Sequence, residues 1–191
     1  MNLLLEITGF ITGVAGIWLT IRKKILCFPV GMVNVVVSAW LFYGQKLYAD
    51  VMQQAVYLAL LAYGWIHWQG GRTDDQRKAI SFLDTPGRLL LVAVIALSTL
   101  ALGSVLDHYT DASFPWADSF ATSTAFAAQF LIARRKTENW ILWMIVNSCY
   151  IFIYLQRELP LYTALFTIYL IMAVVGFSAW LHTAENSTKR V

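Results

Sequence analysis

The chain has 191 residues, of which 59% are hydrophobic, 15% aromatic and only 13% charged, with a formal net charge of +3. A soluble domain carries about 25% charged residues, so a globular domain surrounded by water is excluded and the apolar residues must face lipid. A spanning helix needs about 20 mostly apolar residues; the length admits seven of them with short connections and no sizeable soluble domain.

The segments fall at 3–22, 25–43, 48–68, 88–108, 116–134, 138–157 and 160–182. The first has no Lys or Arg before its apolar run and is longer than a signal-peptide core, so it reads as a mature span. Its Gly9, Gly13 and Gly16 let a neighbouring helix approach closely. The connection at 69–87 holds Gly70, Gly71, Asp74, Asp75, Pro86 and Gly87, and reads as a solvated linker. Cys27 and Cys149 form no spacing motif and read as small packing residues.

Charge placement gives an orientation. Sorting the 14 basic residues by connection puts twelve on one side of the membrane and two on the other. Basic residues stay in the cytoplasm, so the N-terminus is expected outside and the C-terminus inside. Triplets such as Arg134-Arg135-Lys136 at helix ends are thereby explained by topology, and no nucleic-acid partner is expected.

An internal repeat organises the chain. A shift of 113 residues lays Arg22-Lys23 on Arg135-Lys136 and Asn34 on Asn147; beyond the next loop a shift of 112 lays Tyr57, Gly64 and Trp68 on Tyr169, Gly176 and Trp180. The expected fold is all-α and transmembrane, with seven helices in a 3+1+3 arrangement. Repeat one covers 3–68, a linking helix 88–108 and repeat two 116–182. The two trios have the same orientation, one of the two symmetric plans of transporters.

Charged groups inside a bilayer mark proton and ion pathways, and here Glu6, Asp50, Asp118, Glu138 and all three histidines lie near helix ends. No nucleotide-binding loop is present either. A proton pump, an ATP-driven pump and a membrane enzyme are disfavoured; no catalytic group, metal-ligand set or cofactor is expected.

The middle of the membrane holds uncharged polar and aromatic groups instead. Asn34 and Asn147 each lie nine residues into their helices, about 13 Å of rise. Helix six carries Trp140, Trp143, Asn147, Tyr150 and Tyr154 at spacings of 3, 4, 3 and 4, which share one face. A lipid-facing helix keeps Trp and Tyr at its ends, so this stripe reads as the wall of a cavity. Helix two adds Trp40, helix three Gln53, Gln54 and Tyr57, and helix five Thr122, Ser123, Thr124 and Gln129. Single Ser and Thr are better read as interhelical glue, and Trp65, Trp68, Trp116 and Trp180 as the interfacial belt. Aromatic faces with amides suit a small flat ring, cationic rings included, with carboxamide or hydroxyl substituents. A seven-helix receptor would use the same pocket, but no segment is large enough to present an effector surface.

The run Trp140-Ile141-Leu142-Trp143-Met144-Ile145-Val146-Asn147 resembles the W-x-x-W-x-x-x-N/D signature of the PnuC vitamin transporters. Leu47-Tyr48-Ala49-Asp50, Tyr63-Gly64-Trp65 and Ala133-Arg134-Arg135-Lys136 are similar to that family as well. The resemblance implies a SWEET-like fold of two three-helix bundles joined by one helix, assembled as a homotrimer in the bacterial inner membrane. It also implies facilitated uptake of a vitamin nucleoside, trapped inside by a cytoplasmic kinase. Nicotinamide riboside is the expected substrate and thiamine the alternative. The resemblance makes Trp140, Trp143 and Asn147 substrate contacts; Asn34, Trp40, Gln53, Gln54, Tyr57, Gln129 and Tyr150 rest on the helix reading.

Overall fold

The computed structural model describes residues 3–44, 46–69, 79–110 and 114–188. Among them are seven helices and no strand: α1 (Leu3–Ile21), α2 (Cys27–Gly44), α3 (Tyr48–Gln69), α4 (Thr85–Tyr109), α5 (Pro115–Ala133), α6 (Glu138–Gln156) and α7 (Pro160–Thr188). Of these, α2, α4 and the Pro160–Glu185 stretch of α7 are long and apolar enough by themselves to cross a bilayer, and α1 holds a shorter apolar stretch, Ile7–Ile21.

The chain divides into two compact units. The first is residues 1–79 together with Ile132–Arg135; the second is Ile80–Leu131 with Lys136–Val191.

In the first unit α2 packs against both α1 and α3. Lipid tails are as apolar as leucine, so helices associate through close packing and hydrogen bonds rather than through escape from water. Small residues supply the close approach: a Cβ on Gly31 would come within 3.0 Å of Leu61, and one on Gly64 would overlap the Phe28 ring. Phe28, thus seated, meets Trp68 edge-on at 5.1 Å and 80°. The Trp68 indole N–H donates to the Ala133 carbonyl at 3.1 Å, and the Arg135 guanidinium lies over its ring at 4.2 Å. Trp68 is buried, and so belongs to the packing rather than to an interfacial belt. The glycine one turn earlier, Gly64, opens the notch that lets its aromatic partner in.

In the second unit α6 packs on α7 by the same device. Trp140 fills the notch at Gly176, where a Cβ would lie 2.6 Å from the ring, and meets Trp180 edge-on at 5.6 Å and 87°. Trp180 is buried and also leaves the belt. Trp116 is more exposed, though its ring lies against Gly103 of α4. A core of Ile95, Ala128, Leu131 and Leu142 joins α4, α5 and α6, with Trp143 packed against it.

Residues 69 and 79–87 depart from the solvated-linker reading of 69–87. Residues 70–78 lie outside the described residues, but Ile80 is buried and 81–84 are tied to the start of α6. The Thr137 N–H donates to the Ser81 carbonyl at 3.0 Å, Lys136 Nζ to Ser81 Oγ and the Phe82 carbonyl, and the Leu83 N–H to Glu138 Oε1 at 2.9 Å. Helix α4 starts at Thr85, three residues before the expected 88. Asp84 caps it by accepting from the Gly87 N–H, with Pro86 in the first turn. Proline there loses no hydrogen bond and suits a helix start.

Four non-glycine residues have left-handed backbone: Lys23 (φ 56°), Lys46 (φ 60°), Arg135 (φ 58°) and Glu158 (φ 54°). Each follows a helix and closes it with paired bonds from its own N–H to the third residue back and from the next N–H to the fifth, as Lys23→Thr20 with Lys24→Leu19 and Arg135→Ile132 with Lys136→Leu131. That pattern is a helix C-cap usually built on glycine. Three of the four are basic, which a helix C-terminus favours.

These caps recur at one offset along the sequence. Arg135 follows Lys23, and Glu158 follows Lys46, by 112 residues, as Trp140 and Gly176 follow Phe28 and Gly64. The offset is therefore 112 already at the first turn, not the 113 that aligning the basic residues gives. Asn147 corresponds to Val35, and Asn34 to Val146; the two amides are one position, about 100° of helix, apart.

Candidate functional site

The first unit holds Asn34, Trp40, Gln53, Gln54 and Tyr57 of the expected site. Asn34 faces α1: its amide nitrogen donates to the Gly9 carbonyl at 2.6 Å and to Thr12 Oγ1 at 3.1 Å. An amide in a low-dielectric interior must be paired, and here the pairing ties two helices together. Trp40 is 70% exposed, so the structure does not bring it into the interior of this unit. Gln53, Gln54 and Tyr57 share α3 and are half-buried. All three lie in the first three turns of that helix.

The second unit holds Gln129, Trp140, Trp143, Asn147 and Tyr150. The helix-six stripe divides by height and by partner. Trp140 is 2% exposed and held in the Gly176 notch. Trp143, one turn on, leans toward the α4–α5 core. Asn147 is 3% exposed and makes no hydrogen bond with any described residue. Tyr150 and Tyr154 stack on each other at 5.9 Å and continue into Phe166 and Tyr162 of α7. Gln129 is buried on α5.

The polar atoms without partners concentrate here. The buried hydroxyls of Thr99, Ser119, Ser123 and Thr124, the Trp140 indole N–H, Asn139 Oδ1 and Glu138 Oε2 have no hydrogen-bond partner among the described residues. All of these lie in the second unit. Leaving such a group unpaired costs about 1–3 kcal/mol. Ser119 is a site candidate that the sequence reading omits. Its signal is the i, i+4 spacing to Ser123, which puts both on one face of the helix.

At the start of α6, Glu138 Oε1 accepts from Arg88 Nε and NH2 at 3.2 and 3.1 Å as well as from the Leu83 N–H. At the far end of the helix, Arg157 approaches Asp118 at 3.9 Å. The two ends of α6 are thus held by charge, while its middle is uncharged and holds the Trp and Asn side chains. A shallow groove of about 470 Å³ at the end of α4 is lined by Ser104, Asp107, His108 and Trp116 and includes none of the expected site residues.

Comparison with known proteins agrees with the resemblance carried by the tryptophan signature. The family model described as nicotinamide mononucleotide transporter matches residues 3–182. The nicotinamide riboside transporter PnuC of Escherichia coli (strain K12) is 25% identical over 97% of this chain and 88% of its own length. The riboflavin/roseoflavin transporter RibM of Streptomyces davaonensis is 28% identical over 74% of this chain and 68% of its own. A crystal structure of the vitamin B3 transporter PnuC shares the fold, with a TM-score of 0.77 at 24% identity, covering 97% of this chain and 83% of that one. The match runs through every helix described above, apolar spans and signature together, and the chain is a multi-pass membrane protein that belongs to the nicotinamide mononucleotide transporter family, the PnuC vitamin transporters.

Proposed function

We propose that this protein carries nicotinamide riboside into the bacterial cell by facilitated diffusion through the inner membrane. The observation that carries the reading is the middle of α6, where the buried Asn147 lies one turn from the Trp143 indole. An aromatic face stabilises a cationic pyridinium ring without any buried carboxylate, and an amide offers both donor and acceptor to a carboxamide. The names of the relatives from several bacteria point to the same riboside. The family description adds a phosphate, but no Lys or Arg falls inside the middle of any of the seven helices. A phosphate dianion would find no counter-charge there, which favours the riboside over the mononucleotide.

In this reading the chain crosses the membrane seven times with its N-terminus outside, as two parallel SWEET-like trios joined by α4. The recurrence of caps and aromatic locks at an offset of 112 supports duplication. Trp143 and Asn147 bind the base, with Gln129 and Tyr150 of the same unit as further contacts. Trp140 positions them from the Gly176 notch and can contribute its indole N–H. Asn34 acts as the α1–α2 tie, and Trp40 stands apart. The protein assembles as a homotrimer, and a cytoplasmic kinase traps the substrate. Uptake into proteoliposomes of labelled nicotinamide riboside, against thiamine and riboflavin, tests this. The expected result is riboside accumulation to equilibrium, unchanged by a proton gradient and lost in Trp143→Ala and Asn147→Ala. Preference for thiamine or riboflavin, or normal riboside binding by both variants, would refute it.

A further inference from the structure

Serine and threonine hydroxyls on the helices of this protein have a usual partner. Nine of them donate to the carbonyl four residues back, Thr12, Thr20, Ser104 and Ser148 among them. In a medium without water that local bond is always within reach. Three hydroxyls of α5 forgo it. Ser119 is 1% exposed, Ser123 4% and Thr124 1%, and their oxygens have no partner among the described residues. Ser119 and Ser123 are one turn apart and share a face. Their counterparts 112 residues earlier are Ile7 and Ile11, both exposed and apolar. The second unit thus has buried hydroxyls where the first has lipid-compatible side chains.

Their height on the helix is informative. α5 runs toward the turn at 134–137 and α6 runs away from it. Ser123 lies about 15 Å before the end of α5, and Asn147 about 13 Å beyond the start of α6, so the two stand at similar distances along their helices from the turn. Trp143 lies one turn nearer the connecting turn, and Ser119 one turn farther from it. Counted along the helices from that turn, the order is indole, then amide with hydroxyl, then hydroxyl.

We infer that Ser119 and Ser123 form the sugar subsite of the ligand. The inference rests on the riboside reading above. A hydroxyl both donates and accepts, as each hydroxyl of a vicinal diol does, and a ribose one turn beyond the base meets two of them in register. The base lies on the Trp143 side, toward the 134–137 turn, with the sugar toward the opposite face of the membrane. Thr124, about 100° around the helix from Ser123, supports the position without sharing the diol.

The test is a double-mutant cycle in purified protein. Nicotinamide riboside and its 2′,3′-dideoxy analogue are titrated into the wild type and Ser119→Ala/Ser123→Ala. The wild type is expected to bind the riboside at least tenfold more tightly than the analogue. In the double variant that ratio falls to within about twofold, and Ser119→Thr/Ser123→Thr restores part of it. The melting temperature of the ligand-free double variant stays level or rises, because unpaired buried groups are removed. An unchanged ratio in the double variant overturns the subsite while leaving the riboside reading intact. Failure of the wild type to bind either compound overturns both.

Discussion

The two units are built on one lock and differ in what their polar groups do. In the first, Phe28 sits in the Gly64 notch against Trp68; in the second, Trp140 sits in the Gly176 notch against Trp180. The caps that aim the helices recur at the same offset. Around this common frame, the first unit satisfies its mid-helix amide: Asn34 donates to Gly9 and Thr12. The second leaves Trp140 Nε1 and the hydroxyls of Ser119, Ser123 and Thr124 without a partner among the described residues. The frame is set by ring and notch. What distinguishes the units is buried polarity that the second leaves without partners among the described residues.

The lock itself is the easiest part to break. Helix propensity alone would have Gly→Ala stabilise a helix by about 1 kcal/mol. Overpacking a filled notch costs about 1–3 kcal/mol, and at both Gly64 and Gly176 the added Cβ would strike a ring held by a second ring. Gly64→Ala and Gly176→Ala are therefore each expected to lower stability by about 2 kcal/mol, read as a lower midpoint of thermal unfolding in detergent. A rise at either position would show that the notch is slack and the shared lock incidental.

A smaller effect separates the amides. Asn34→Leu removes two hydrogen bonds between helices, each worth about 0.6 kcal/mol on average in membrane proteins. The expected loss is about 1 kcal/mol of stability, with any fall in riboside affinity following it. Asn147→Leu is expected to keep or raise stability, since it removes a buried group with no partner among the described residues, while riboside binding is lost. Unfolding and titration on the two variants side by side decide the matter. The same ordering of the two effects in both variants would erase the difference between the units.

Much of the frame was legible in the sequence, because helix existence depends on the amount of apolar residue and on where charge interrupts it. Segments such as 48–68 and 138–157 differ from α3 and α6 by a residue at one end. What hydropathy does not carry is direction. Trp68 and Trp180 lie near helix ends, where an interfacial ring is the default, and only the glycine four residues earlier shows that a partner ring covers each. Gly64-x-x-x-Trp68 and Gly176-x-x-x-Trp180 stand in the sequence, and read together they would have pointed inward. The start of α4 is legible too, in Asp84-Thr85-Pro86, where a capping carboxylate precedes a proline suited to the first turn. The off-by-one register came from matching basic letters instead of the cap they build. Within the site, the Trp143 and Asn147 spacing was readable. The engagement of Asn34 with α1 was not, since a lone amide does not reveal its partner.

The least of the expected differences lies at the start of α6. Glu138 holds Leu83 and Arg88, and its counterpart in the first trio is Leu26, an exposed apolar residue. The 81–84 tether is thus a feature of the second unit alone. Arg88 is about half exposed, and exposed ion pairs are worth only about 0.2–1 kcal/mol. Glu138→Gln keeps an acceptor for the Leu83 N–H and removes the charge. Its expected cost is about 0.5 kcal/mol at low salt, shrinking as ionic strength rises and screens the pair. Glu138→Ala also leaves the Leu83 N–H unpaired and should cost about 1 kcal/mol more, with little salt dependence in that increment. Equal losses for the two variants would assign the tether to the Arg88 charge alone. A graded loss places it on the carboxylate's hold of the backbone, which a leucine at the equivalent position of the first trio has no means to provide.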